Sequence, residues 1–350
     1  MNRGRELAPS STAQSSSSIR GRSRRSRWMR ALRPYSPATP RAHAGAMSDH
    51  ISPSSIIVGV DGSDDSDRAL QWAAEQAHLE RRPLVVVTAV AAGATTAANV
   101  RGITLSGVGA VYAYADDDLL AFGKEVAMDA VDTARRLRPG LEVGAHVTLG
   151  DAREVLVDLS ARVYLIVLGS RGRGTVRSKI LGSVSATVSR QAACPVVVCR
   201  PDGLGTHDAG VLVGADGTAE SGPVVEFAFR QASLRGAPVT VLHCMWDSVA
   251  AVHGPALAPA TEPGLEEQRM LLSETIAGLA EKFPEVRVEL QLAHGFAAEC
   301  LSAGSPRWGL IVVGRHPVDS IPRLVAGSIA TSVMEQVRTT VAVVPEAKPA

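Results

Sequence analysis

Short apolar runs rich in β-branched residues recur along this chain, each bounded by Gly, Pro or a charged residue. Between them lie longer stretches in which apolar positions return every three or four residues. The first pattern predicts strands covered on both faces, the second amphipathic helices. Read in order, the leading set opens with a strand over Ile56 to Val60. A helix from about Asp65 to Arg82 follows, with the stripe Ala69, Leu70, Ala73, Ala74 and Ala77 and an N-cap drawn from Ser63 to Asp65. Pro83 introduces a strand over Leu84 to Val90, and the Ala/Gly/Thr-rich stretch from Ala91 to Ala115 reads as a mobile connection. A helix over Asp117 to Leu137, ended by Pro139-Gly140, precedes an alternating, edge-type strand over Leu141 to Thr148. Asp116 to Asp118 read as a helix start favoured by the dipole rather than a cation site. Gly150-Asp151 start a short helix to Ala161, Leu165 to Gly169 form a buried strand, a helix opens near Gly182 and Ser183, and Pro195 to Cys199 close the set. Strand and helix alternate throughout, which predicts a parallel α/β sheet.

A second set repeats the first. Val213-Gly214-Ala215-Asp216-Gly217-Thr218 matches Val58-Gly59-Val60-Asp61-Gly62-Ser63, as Gln231-Ala232 match Gln76-Ala77 and Pro238 matches Pro83. Further on, Val313-Gly314-Arg315 takes the place of Leu168-Gly169-Ser170, and Gly327-Ser328 that of Gly182-Ser183. Agreement on both sides of a single deletion, placed between the second strand and the long helix, marks a tandem duplication. The expected division is an extension over 1–54, one domain over 55–200, a linker over 201–208 and a second domain over 209–346.

Composition changes this picture in three places. The 350 residues are 45% hydrophobic but only 4% aromatic, so Ala, Val and Leu must build two cores of ordinary size. The longest apolar runs fall far short of the roughly 20 residues a membrane span needs, so no membrane partner and a cytoplasmic location are expected. The net charge of +1 hides an asymmetry: ten arginines against Glu6 give residues 1–46 a charge of +9, leaving −8 for the rest. An acidic body makes a poor general nucleic-acid binder, and the basic signal is confined to the leading segment and the loop after Gly169. The Ser/Arg/Pro-rich leading segment cannot bury enough surface to fold. It reads as a basic arm, a targeting segment, or a misassigned start with Met47 as initiator; the third reading is preferred, because Met47 is followed by a short polar lead and then the first strand.

Cys194, Cys199, Cys244 and Cys300 show no metal-ligand or CxxC spacing. They read as small buried hydrophobes in a reducing compartment. His78, His146 and His294 lie on different elements without ligand spacing and read as ordinary imidazoles.

The candidate chemistry lies between Gly169 and Ser183. Arg171, Arg173, Arg177 and Lys179 fall within twelve residues that hold no acid. Such a loop is either a solvated basic turn or a cradle for an anion. Gly169, Gly172, Gly174 and Gly182 let main-chain N–H groups approach a ligand, and the helix that follows adds unpaired N–H groups and a positive dipole end. Asp61 ends the first strand at the carboxyl edge of the sheet, where ligands of open parallel sheets bind; capping the next helix is its other reading.

The spacing Gly169, two residues, Gly172, nine residues, Gly182-Ser183, with the words GSRGRG, LGSVS and CPVVV, resembles the ATP-binding pattern of the universal stress protein family. The resemblance covers nearly all of residues 55 to 346. It implies two tandem Rossmann-like α/β domains, each a parallel five-stranded sheet flanked by helices. It further implies pairing of the two domains through Val196 to Cys199 and Val341 to Val344, with a homodimer left open. The implied activity is ATP-responsive regulation of stress, dormancy or growth, with little or no turnover. The alternative is an ATP-hydrolysing or nucleotidyl-transferring enzyme using the same loop. No Walker sequence is present, and the loop lacks the acids that phosphoryl transfer requires, so binding is preferred. On this reading adenine nucleotide meets Gly59, Asp61, Gly169, Ser170, Arg171, Gly172, Arg173, Gly174, Thr175, Gly182 and Ser183. A weaker second site takes Gly214, Asp216, Gly314, Arg315, Gly327 and Ser328, because Pro317 replaces Gly172 and removes an N–H.

Overall fold

The computed structural model describes residues 51–91, 116–172, 181–201, 209–246, 250–315 and 329–347. Of the connection expected over 91–115, residues 92–115 therefore lie outside the described residues. The leading copy runs β1 (Ile56–Gly59), α1 (Asp64–Glu80), β2 (Leu84–Val90), α2 (Asp116–Leu137), β3 (Val143–Leu149), α3 (Ala152–Ser160), β4 (Leu165–Gly169), α4 (Ser183–Gln191) and β5 (Val196–Cys199). The second runs β6 (Val211–Gly214), α5 (Gly222–Arg235), β7 (Val239–Met245), α6 (Ala250–His253), β8 (Ala256–Leu257), α7 (Glu266–Lys282), β9 (Val288–His294), α8 (Ala297–Ser302), β10 (Leu310–Arg315), α9 (Ile329–Gln336) and β11 (Val341–Pro345).

All the described strands join in one sheet of order β3-β2-β1-β4-β5-β11-β10-β6-β7-β9-β8. Within each copy the five major strands are parallel. Where the copies meet, β5 and β11 run antiparallel, with Val341 opposite Val198 and Val343 opposite Val196. Two strand edges that would otherwise lie open are thereby paired. The second copy departs from the expected five strands: β8 adds two residues antiparallel to the outer edge of β9. Its connection after the second strand is the shorter one, yet it carries both α6 and β8.

Local chemistry accounts for the elements. Ile56 and Val58 face one core layer and Ile57 the other, all fully buried, as the two-residue period of a covered strand demands. At the start of α1 the Ser63 hydroxyl accepts the Ser66 N–H at 3.2 Å, and Asp64, Asp65 and Asp67 occupy the first turn, where the dipole favours acids. The predicted extension of this helix to Arg82 stops short because Arg81 turns left-handed at φ 53°. The strand read as Leu141 to Thr148 runs over Val143–Leu149, because the Leu141 N–H is still taken by the Arg138 carbonyl in the turn after α2.

The seam between the copies is polar where α1 meets α5. Gln76 and Gln231, equivalent in the duplication, are both fully buried. Arg235 donates Nη1 to the Gln231 side-chain oxygen at 2.6 Å and Nη2 to that of Gln76 at 2.7 Å, and its guanidinium lies 5.3 Å from the Trp72 ring centre. Burial pulls Arg235 down to about 10, against the opposing field of Glu80. Arg200 and Arg315 cross the same seam in opposite senses. Arg200 Nε donates to the Val337 carbonyl just beyond α9 at 2.9 Å. Arg315 donates to the carbonyls of Arg190, at 3.0 Å, and Ala192, at the end of α4. Each cation meets the negative end of a helix belonging to the other copy.

Candidate functional site

The site is built from the turns that follow β1 and β4 and from the mouth of α4. After β1, the Asp61 carboxylate accepts the Ser63 N–H at 3.0 Å, closing an Asx turn in which Gly62 takes φ 76°. That left-handed position is why glycine stands there. Asp61 is thus not the N-cap of α1, which is Ser63. Asp216 makes the same bond to the Thr218 N–H at 3.0 Å in the second copy.

The turn after β4 is held from beneath by Asp65. Its buried carboxylate accepts the Ser170 hydroxyl at 2.8 Å and the Arg171 Nε at 3.3 Å, and it pairs with Arg68. The Ser170 side chain is fully buried and points to α1. The fit at Gly169 has the same cause: a Cβ there would lie 2.6 Å from the carbonyl carbon and oxygen of Asp65. Gly59 lacks room for another reason, since its Cβ would lie 2.6 Å from a methyl of Leu168. These glycines let β1, β4 and α1 pack closely, which sets the height of the turns above the sheet.

Gly172 stands differently. It is exposed, and a Cβ on it would lie 2.6 Å from Oδ2 of Asp61. The two turns therefore bring a carboxylate and a side-chain-free backbone together. The neighbouring Ser170 carbonyl accepts the Gly182 N–H at 2.8 Å, and Ser185 donates to the Gly169 carbonyl at 2.6 Å. These bonds place the first turn of α4 beside the loop. Gly182 is the N-cap of α4 and makes no side-chain cap, and Ser183 is exposed at its first position. A helix opened by glycine has no side-chain oxygen of its own to take the first N–H groups, so an anion can take them. The residues fit a phosphate group on backbone amides, with a carboxylate nearby that accepts hydroxyl or amine hydrogens.

Asp61, Gly172, Gly182 and Ser183 are thus brought to one place. Gly59, Gly169 and Ser170 lie beneath it as packing residues. Arg173, Gly174 and Thr175 lie outside the described residues. Asp65 and Ser185 were not singled out from the sequence. Asp65 read there as helix capping, and nothing in the spacing tied it to Ser170, 105 residues further on. An open hollow of about 530 Å³ lies at the opposite edge of the sheet, lined by His78, Arg81, Arg82 and Leu141, away from the strand ends that carry Asp61 and Gly172.

The second copy is arranged otherwise. Arg315, read from sequence as a cation for the weaker site, is engaged with the end of α4 across the seam, and burial lowers its pKa. At Gly314 an added Cβ would collide with a Glu346 carboxylate oxygen, so the chain just beyond the last strand sets a carboxylate where copy one packs Gly169 against α1. Gly327 and Ser328 lie outside the described residues. Among the described residues, no three His, Cys, Asp or Glu side chains cluster as metal ligands, and no helix is long and apolar enough to cross a membrane.

Comparison with known proteins finds two tandem matches. The model of the universal stress protein family matches residues 54–200 and 210–345. Universal stress protein Rv2005c of Mycobacterium tuberculosis is 32% identical over 294 residues, covering 82% of this chain and 96% of its own. Universal stress protein Rv2623 of the same organism is 32% identical over 307 residues, covering 86% and 99%. Among solved structures, a universal stress protein from Archaeoglobus fulgidus superposes with a TM-score of 0.59 at 16% identity, covering 83% of this chain and 98% of that one, a likeness of fold.

Proposed function

Because this chain belongs to the universal stress protein family, we propose that its leading copy binds ATP and that the chain acts as a nucleotide-responsive regulator in the cytoplasm. The observation that carries this reading is the meeting of Asp61, Gly172 and the glycine-opened α4 at one edge of the sheet. Backbone amides of the loop and of α4, with the Ser183 hydroxyl, would hold the phosphates. Asp61 would accept from the ribose or the adenine amine, and Arg171 or Arg173 would offset charge. Glu346 at Gly314 and the diversion of Arg315 support a second copy that binds nucleotide weakly and serves as a packing partner. Binding without turnover is favoured because phosphoryl transfer needs several acids to hold metal ions, and the loop from Gly169 to Ser183 carries none.

The test is to purify the full chain, extract it and identify the bound nucleotide, then follow phosphate release with added ATP. Recovery of ATP without multiple-turnover release is expected. Sustained release would replace the regulatory reading by an enzymatic one. A preparation that neither retains nor binds adenine nucleotide would remove both.

A further inference from the structure

The seam between the copies is built on an approximate two-fold axis. In the duplication Val341, Ala342 and Val343 are the counterparts of Val196, Val197 and Val198. The antiparallel register sets Val341 opposite Val198, Ala342 opposite Val197 and Val343 opposite Val196. Each copy therefore offers the corresponding face to the other, and at the axis Val197 meets its own counterpart, Ala342. A face of this symmetry is open in its backbone to three pairings: copy one with itself, copy two with itself, or one with two. The side chains at equivalent positions decide among them.

Two such positions hold unlike residues. Val197 and Ala342 are both fully buried in the core layer beneath α1 and α5. Directly opposed strand residues have Cβ atoms about 5 Å apart, so one isopropyl group and one methyl group share that space. Two valines would crowd it, and two alanines would leave a void. The second unlike pair is Glu80 and Arg235. The Gln76 side chain donates to the buried Glu80 carboxylate and accepts from Arg235 at 2.7 Å, while Arg235 also donates to Gln231 at 2.6 Å. An acid, a cation and two amides thus form one line across the seam. Copy one on itself would bring two acids and two amides without the arginine that serves them. Copy two on itself would bury two guanidiniums with no acid nearby, a cost that an unpaired charge does not recover. The Trp72 ring beside Arg235 has Phe227 as its counterpart, a weaker face for a cation.

We propose that the seam face of each copy, formed by β5 with α1 or by β11 with α5, fits the unlike copy and rejects its own kind. The volume at the axis and the charge on the helices select the same pairing independently. Every particle then sets the copy that carries Gly172 against the one that carries Pro317.

Single changes in the intact chain imitate the rejected pairings. Ala342→Val sets valine opposite valine and Arg235→Glu sets acid against acid, as copy one on itself would. Val197→Ala and Glu80→Arg imitate copy two on itself. Urea unfolding of the full chain should show each single change lowering the folding constant by roughly tenfold or more. The exchange Val197→Ala/Ala342→Val keeps one residue of each kind at the axis and should return to within roughly threefold of the parent. Glu80→Arg/Arg235→Glu should be more stable than either of its single changes. Full recovery is not expected there, because Arg82, which bonds Glu80 at 3.1 Å, stays behind. Single changes without loss, or exchanges whose losses are the product of the two single losses, would overturn the proposal and leave a seam that does not choose its partner. An exchange at the axis that fails to fold would overturn it as well.

Discussion

The side-chain oxygen of Gln76 accepts a 2.7 Å hydrogen bond from Nη2 of Arg235, joining α1 of one copy to α5 of the other. In the duplication Gln76 is the counterpart of Gln231, and Arg235 that of Glu80. One change from acid to arginine thus lets a single guanidinium serve both equivalent amides from one side. Removing it leaves two buried amides short of a donor. Arg235→Ala should lose about 2–4 kcal/mol of stability in urea unfolding, the cost of breaking a buried polar network on one side. Arg235→Lys should not restore it, since an ammonium cannot span two acceptors and lie over Trp72 as a planar fork does. A loss below about 0.5 kcal/mol would mean that the seam is held by its apolar strands alone.

Arg81 and Gly236 occupy one position in the two copies, and both are left-handed, at φ 53° and φ 62°. Each donates its N–H back to two carbonyls at the end of its helix, and only one is the residue that geometry prefers. Arg81→Gly removes a side chain from a conformation that costs an L-residue about 1–2 kcal/mol, against a smaller entropic loss in the unfolded chain. A gain of about 0.5 kcal/mol is expected from chemical denaturation. Gly236→Ala should move stability the other way by about 1 kcal/mol. Equal effects of the same sign would contradict the shared geometry.

The periodicity was enough to show the repeated parallel unit, because Ile56-Ile57-Val58 and Leu165 to Leu168 are buried on both faces and so carry no polar positions to confuse the pattern. The Asx turn at Asp61-Gly62-Ser63 was equally legible, since its chemistry is local. What sequence left unread depends on partners far along the chain. Asp65 reads as capping until Ser170 and Arg171 are seen to rest on it. Arg315 lies at the equivalent of Ser170 and reads as part of a second site, yet the antiparallel seam puts the end of α4 within its reach. β8 is two residues long and has no periodicity to detect.

Asp151 offers a test by pH. It caps α3, accepting the Arg153 N–H at 2.8 Å, and the Arg153 guanidinium, then that N–H, hold its carboxyl down to about 2. A carboxyl whose folded pKa lies below its unfolded value stabilises the fold above the unfolded value, and the effect fades as pH falls through about 2. Carbon-detected titration should place the Asp151 midpoint near 2; an ordinary midpoint of 3.8 would show that the pairing with Arg153 does not persist. At neutral pH, Asp151→Ala should cost about 1 kcal/mol as a lost cap. The acid dependence assigned to this residue should vanish with it.

Gly169 and Gly172 are three positions apart in one loop, but substitution should separate packing from binding. At Gly169 a methyl meets backbone atoms of Asp65 at 2.6 Å, and α1 cannot retreat without leaving the sheet. Gly169→Ala should therefore lose about 1–3 kcal/mol of stability as overpacking. At Gly172 the methyl meets only Oδ2 of Asp61, the far end of a side chain that can rotate. Gly172→Ala should stay within about 0.5 kcal/mol of the parent. Gly172→Glu adds bulk and a second carboxylate beside Asp61. Two like charges about 4 Å apart near a protein surface repel by about 4 kcal/mol, which amounts to roughly a thousandfold in affinity for a phosphate chain passing there. Calorimetry with ATP should then detect no binding; in the empty site the exposed new side chain can swing into solvent away from Asp61, so the thermal unfolding midpoint should stay close to that of the parent. If Gly172→Glu keeps both its fold and its affinity, the phosphates do not pass this loop. Nucleotide would then have to be sought at another edge of the sheet.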